Sequence, residues 1–203
     1  MYLSKLSFQL NDPKIQKALR DCQEMHKLTT QCFATDRQSN NILYRVRIER
    51  GRNALYVYSD NPMNERLIPD CMSLEAQRDI TEWVQNMQND MMKRFDLLAM
   101  PTKKVKSNTG KNSQRRILRT PEERLAWMER KAEQFGFQFL EIQEIKHVRQ
   151  VGQHGQKSSG RMYFDGYHYQ GVIRITDATK FKNALHQGIG AGKAYGFGML
   201  MLA

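Results

Sequence analysis

The sequence predicts an α+β protein built from two β-α-β-β-α-β units in tandem. Three observations carry that expectation: segments of alternating apolar residues, segments with apolar residues at helical spacing, and the order in which the two kinds follow each other. Residues 2–10 alternate, with Leu6, Phe8 and Leu10 on one side and Lys5, Ser7 and Gln9 on the other, as a half-buried strand does. Asp12-Pro13 opens a helix, the aspartate as N-cap and the proline at the first helical position. Its stripe of Ile15, Leu19, Cys22 and Phe33 extends it to about residue 33. Ile42, Tyr44, Val46 and Ile48 alternate with Leu43, Arg45, Arg47 and Glu49, which predicts a second strand, and Arg50-Gly51-Arg52-Asn53 turns it back into a third at 54–58. Ser73 then reads as the cap of a helix with the stripe Ala76, Ile80, Trp83, Val84, Met87 and Met91, and 95–100 as a short apolar strand.

The second half repeats the order. Thr120-Pro121-Glu122-Glu123 forms a capping box, and the helix it starts runs to about Gln134, buries Leu125, Met128, Ala132 and Phe135, and stops at Gly136. Residues 137–145 read as a strand, and 161–164 with 167–175 as a hairpin about Asp165-Gly166. Asp177 caps a helix through Phe181, Ala184 and Leu185, and 197–202 is a closing strand. Both halves follow the ferredoxin-like (RRM-like) plan. The expected domains are 1–97 and 98–203, the second with a C-terminal glycine-rich loop.

Charge points to a partner. The chain has a formal net charge of +11. Between Pro101 and Arg119 stand seven cations without an acid: Lys103, Lys104, Lys106, Lys111, Arg115, Arg116 and Arg119. Lys146, Arg149, Lys157 and Arg161 form a second acid-free cluster, with His147 and His154 among them. Both stretches are rich in Gly, Ser, Asn and Gln, so they read as loops or hairpin tips reaching along a phosphate backbone. No apolar run approaches the length of a membrane span, and the opening MYLSKLSFQL has no signal-peptide core. Three unspaced cysteines, Cys22, Cys32 and Cys71, argue against a disulfide framework or a zinc site and for a reducing cytoplasm.

Gly188, Gly190, Gly192, Gly196 and Gly198 punctuate the run GIGAGKAYGFG. It follows a helix and precedes a strand, the reverse of a dinucleotide fingerprint, and Lys193 is followed by alanine, so it is no Walker A loop. Two readings stand: a tight connection that needs positive φ angles, or a backbone surface where RNA phosphates approach Lys193. Among the histidines, His26 lies eleven residues after Ile15, almost on the apolar stripe, where position alone reads as core packing. His168 and His186 read as exposed. There is no HExxH, GxSxG or paired-carboxylate motif, which leaves conventional hydrolases and metalloenzymes without support.

Five segments together resemble one family. They are the start MYLSKL, Glu24-Met25-His26-Lys27-Leu28, residues 95–103 (FDLLAMPTK), residues 120–131 (TPEERLAWMERK) and the closing run 188–203. They are similar to the CasE/Cse3 family, the CRISPR repeat-cleaving endoribonucleases of the type I-E Cascade complex. The resemblance implies a cut in each repeat of precursor CRISPR RNA at the base of its hairpin, with no metal or cofactor. The products are a 2′,3′-cyclic phosphate and a 5′-hydroxyl. It implies tight retention of the mature crRNA hairpin, other Cascade subunits as partners, and His26 as the catalytic histidine. Many members carry a tyrosine three residues before that histidine, where this chain has Gln23. An amide donates a hydrogen bond but does not exchange a proton. Gln23, Lys27 and Arg20 are therefore the accessory candidates, and a non-catalytic hairpin-binding subunit is the alternative. The matching RNA contacts are Lys103, Lys104, Lys106, Lys111, Arg115, Arg116, Arg119, Arg149, Lys157, Arg161 and Lys193.

Overall fold

A computed structural model describes residues 1–34, 37–49, 51–105, 114–153 and 160–203. The first half contains β1 (Tyr2–Phe8), α1 (Pro13–Arg20), α2 (Cys22–Thr30), α3 (Arg37–Asn40), β2 (Leu43–Glu49), β3 (Arg52–Ser59) and β4 (Met72–Asp79). Its sheet has the order β2-β3-β1-β4, with every neighbouring pair antiparallel. Leu6 and Phe8 of β1 and Leu55 and Val57 of β3 share one core with Ile15, Ala18 and Met25 of α1 and α2. Alternation on the strands and helical spacing on the helices bring these residues to a common layer.

The single helix expected from Pro13 is broken. Asp21 adopts extended backbone (φ −134°), which ends α1, and its carboxylate accepts from the Gln23 N–H at 2.9 Å, which starts α2. Apolar spacing ran on across this second N-cap and hid it. The helix expected at Ser73 is absent: the segment is β4, paired along β1 with Ser7 opposite Ser73 and Leu6 opposite Leu74. Backbone pairing along the free edge of β1 outweighs the weak local preference for helix. Only α4 (Thr81–Gln85) is helical there, and it buries Val84.

The second half contains β5 (Met92–Ala99), β6 (Thr102–Val105), β7 (Gln114–Ile117), α5 (Pro121–Gln134), β8 (Phe137–Gln153), β9 (Arg161–Ile175), α6 (Ala178–Gln187) and β10 (Leu200–Leu202). The order β10-β5-β9-β8 is again antiparallel throughout and repeats the first sheet's connectivity. The first basic cluster is not a plain loop, because β6 and β7 pair as a hairpin inserted between β5 and α5. Trp127, Met128 and Ala132 of α5 meet Phe137, Ile173 and Phe181 in the core. Leu125, expected inside, is 43% exposed, while Arg124 turns inward and forks onto Glu144 at 2.7 and 2.6 Å.

Asp165-Gly166 is not a turn. β9 runs straight through it, with Gly166 opposite Val148, and a Cβ at Gly166 would collide with the Phe197 ring. The glycine answers a close approach rather than a reversal. β8 and β9 are joined through 154–159, outside the described residues. The boundary expected after residue 97 also moves: β5 pairs with β9 and β10, so the change of sheet falls between Asp79 and Met92.

A buried polar cluster joins the halves. Arg45 on β2 lies 3.6 Å from Asp96 on β5, and Asp96 Oδ2 lies 2.8 Å from His168 Nε2 and accepts from Gln170 Nε2 at 2.8 Å. His168, expected at the surface, is therefore buried. Burial pushes the Asp96 carboxyl up, but hydrogen bonds from His168 and Gln170 and the charge of Arg45 outweigh it and lower it to about 2. Leu43, Tyr58 and Met199 form an apolar seam between the two sheets.

Asp96→Ala is expected to cost about 3–5 kcal/mol in urea unfolding, because it leaves Arg45 buried without its counter-charge. The folded carboxyl lies below the unfolded value of about 4, so its contribution is complete above that pH. The gap between wild type and variant should narrow by about 2 kcal/mol as pH falls from about 4 towards 2.

Candidate active site and nucleic-acid interface

The site is assembled where α2, β8, β9 and the glycine run meet. Gly192 and Gly196 both take left-handed backbone (φ 74° and 80°) on either side of a 3-10 turn, Lys193–Tyr195. Other residues adopt that conformation only at a cost, so the glycines make the turn tight. Tyr44 of β2 fastens it, its hydroxyl donating to the Ala194 carbonyl at 3.0 Å, and a Cβ at Gly196 would press on the Tyr44 ring at 3.0 Å. The turn directs Tyr195 towards α2. Its hydroxyl accepts from Gln23 Nε2 at 2.8 Å, and its ring lies against Phe164 of β9 at 4.4 Å between centroids.

His26 stands beside this aromatic pair. It is half-buried on α2, and its imidazole meets the Tyr195 ring edge-on, with centroids 6.4 Å apart at 77°. The accessory candidates separate. Gln23 is in contact with Tyr195, Arg20 lines the cleft between the halves, and Lys27 is tied to Glu24 at 2.6 Å. That bond raises the Lys27 ammonium and keeps it charged. Cys22 is no nucleophile here, since burial pushes its thiol up to about 11. Tyr195 escapes a reading for acid–base motifs. The only trace of it in the sequence is an aromatic residue enclosed by turn-forming glycines.

Two clefts flank the site. One, of about 460 Å³, lies between α1, β2, β8 and the 3-10 turn, and it carries Arg20, Arg45, Lys146 and Arg149 on its wall with no acid. The second, of about 400 Å³, is lined by Arg115, Arg116, Arg119, His147, Arg149 and Tyr167, with Asp165 as its one acid. Arg149 belongs to both. Burial raises the Asp165 carboxyl, but bonds from Arg149 at 2.7 Å and His147 at 2.8 Å outweigh this and lower it.

The remaining cations are distributed. Lys103 and Lys104 face Arg116 and Arg115 across the β6–β7 hairpin, and Lys103 also binds Glu123 at 3.0 Å. Arg161 is exposed at the start of β9, and Lys193 sits in the 3-10 turn. Lys106, Lys111, Lys157 and His154 lie outside the described residues. The glycine run is packed against its own chain: Gly188, Gly190 and Gly198 approach Leu43, Trp127 and Ile189. Among the described residues no cluster of His, Cys, Asp and Glu has the make-up of a metal site. No described helix is long and apolar enough to cross a membrane.

Comparison with known proteins agrees with this geometry. The model of the CRISPR associated protein family matches residues 1–203. The CRISPR-associated endoribonuclease Cse3 of Thermus thermophilus is 31% identical over 119 residues, 54% of this chain and 54% of that protein. The match thus spans about half the length of that relative. The structure of Thermus thermophilus Cse3 bound to an RNA representing a pre-cleavage complex is similar with a TM-score of 0.86, at 22% identity over 100% of this chain and 98% of the other. A chain of a CRISPR RNA-guided surveillance complex, pre-nicking, gives a TM-score of 0.77 at 21% identity over 100% and 99%. At such identities these structures establish the shared fold. With its family's model matched from Met1 to Ala203, the chain belongs to the CRISPR-associated protein family, in line with the resemblance its five segments carry.

Proposed function

We propose that this chain is a metal-independent endoribonuclease of the CasE/Cse3 type. It cuts precursor CRISPR RNA at the base of each repeat hairpin and then stays on the hairpin of the mature crRNA as a Cascade subunit in the cytoplasm. One observation carries the reading: the acid-free cleft beside α2 and Tyr195 shares Arg149 with the second basic cleft. A polyanion following these cations arrives beside a half-buried histidine. The named relatives, an endoribonuclease and a protein bound to a pre-cleavage RNA, support this choice among polyanions. The surveillance-complex chain supports the assembly.

The chemistry needs few groups. The 2′-oxygen of the nucleotide before the cut attacks the adjacent phosphorus, and the bond to the 5′-oxygen of the next nucleotide breaks. The 2′-hydroxyl gives up a proton and the departing oxygen takes one. The upstream RNA keeps a 2′,3′-cyclic phosphate and the downstream RNA a 5′-hydroxyl. Imidazole titrates nearest neutrality among side chains, which fits His26 to a proton-transfer role. Arg115, Arg116, Arg119, Arg149, Arg161, Lys103, Lys104 and Lys193 hold the backbone. Lys106, Lys111 and Lys157 are assigned to the same role from sequence alone. An A-form stem hides its major groove, so shape and phosphate position dominate recognition. The domain that carries His26 and the domain that carries the basic hairpin act as one unit.

The test is single-turnover cleavage of the repeat RNA of the chain's own CRISPR array, in EDTA. Wild type should cut once per repeat, and His26→Ala should be slower by about 10²–10⁴-fold. Cutting that requires added metal, or unchanged cutting by His26→Ala, would contradict the proposal. Tight binding with the RNA left whole would favour the non-catalytic hairpin-binding subunit. Arg115→Ala and Arg116→Ala should each weaken RNA binding about equally for all stem sequences. Each should also flatten the plot of log affinity against log salt by about one unit.

A further inference from the structure

Tyr195 is not explained by packing alone. A phenol oxygen carries one hydrogen and two lone pairs, and Gln23 Nε2 already donates into it at 2.8 Å. The amide thereby fixes which way the hydroxyl hydrogen turns, away from α2. Among the described residues no acceptor takes that hydrogen. The ring cannot swing freely, because Phe164 lies on it at 4.4 Å and His26 abuts it edge-on at 6.4 Å. The cleft it lines has four cations and no carboxylate on its wall; Arg45 and Arg149 are paired with Asp96 and Asp165, and Arg20 and Lys146 add to them. A fixed donor with a free hydrogen, next to an imidazole in a positive cleft, is suited to an oxygen that gains negative charge.

We infer that Tyr195 donates its hydroxyl hydrogen to a non-bridging oxygen of the scissile phosphate, and that Gln23 is the residue that positions it. This rests on the nuclease reading given above and adds a second catalytic residue to His26. In the displacement, charge builds on the non-bridging oxygens as the 2′-oxygen approaches, and a donor already aimed at them stabilises that state without reorganising. No proton leaves Tyr195, so the hydroxyl acts in one protonation state throughout. The pairing also makes the site composite, since Gln23 comes from α2 and Tyr195 from the turn that closes the second half.

The experiment compares single-turnover cutting of three synthetic repeat RNAs: one with an ordinary scissile phosphate, and two with sulfur replacing one or the other non-bridging oxygen. Tyr195→Phe keeps the ring and its packing. It should cut the ordinary RNA about a hundredfold more slowly, with binding affinity changed by less than about threefold. Wild type should be slowed by sulfur at one of the two positions, because sulfur accepts hydrogen bonds poorly, and that sensitivity should vanish in Tyr195→Phe. Gln23→Met removes the amide while keeping its length. It should slow cutting less than Tyr195→Phe does and add nothing in the double variant.

Wild-type cutting by Tyr195→Phe, or an undiminished sulfur effect in it, overturns the inference. A full additional loss in the double variant overturns the role of Gln23. If His26→Ala cuts normally, or wild type does not cut, the nuclease reading itself has failed. If His26→Ala is inert and Tyr195→Phe is unimpaired, only the inference has failed.

Discussion

The buried contact of Arg45 with Asp96, braced by His168 and Gln170, is the constraint on which the rest of the molecule depends. It spans two sheets that share no backbone pairing. An ion pair taken out of water adds little to stability, yet it penalises every arrangement that separates the partners. Here it fixes how β2 lies against β5 and β9. β2 in turn carries Tyr44, which fastens the 3-10 turn, and β9 carries Phe164, which supports Tyr195. The positions of His26 and Tyr195 relative to each other follow from that joint.

Much of the fold was legible, because apolar periodicity reports which face of an element is buried. β1, β2, β3, α5 and α6 appear where alternation, caps and stop signals put them. The failures share a physical cause. At Ser73 a helical stripe competed with the open edge of β1, and pairing between distant segments is invisible in a local window. At Asp165-Gly166 the dipeptide is a turn signal in isolation, but Phe197 claims the space beside the glycine. The inward turn of Arg124 and the burial of His168 escaped notice because each has its partner far away in sequence, at Glu144 and Asp96.

The site was legible by halves. The charge map drew attention to two acid-free clusters, and Arg149 lies beside Arg115, Arg116 and Arg119 in one cleft. His26 is legible through family resemblance, since its place near the apolar stripe by itself reads as packing. Within its own helix Gln23 offers no proton to exchange. In three dimensions it meets a tyrosine 172 positions later in the chain. That phenol reaches α2 because Gly192 and Gly196 permit a turn that other residues would strain. The glycines thus serve the proposed chemistry by shaping a connection, whatever they contribute to phosphate contact.

The chemistry of the cut ends tests the central claim most directly. Mass spectrometry of both fragments should find a 2′,3′-cyclic phosphate on the upstream RNA and a 5′-hydroxyl on the downstream RNA. A single deoxynucleotide just before the cut should block the reaction while leaving binding intact. A 5′-phosphate on the downstream fragment, with cutting indifferent to that deoxynucleotide, would contradict attack by the RNA's own hydroxyl.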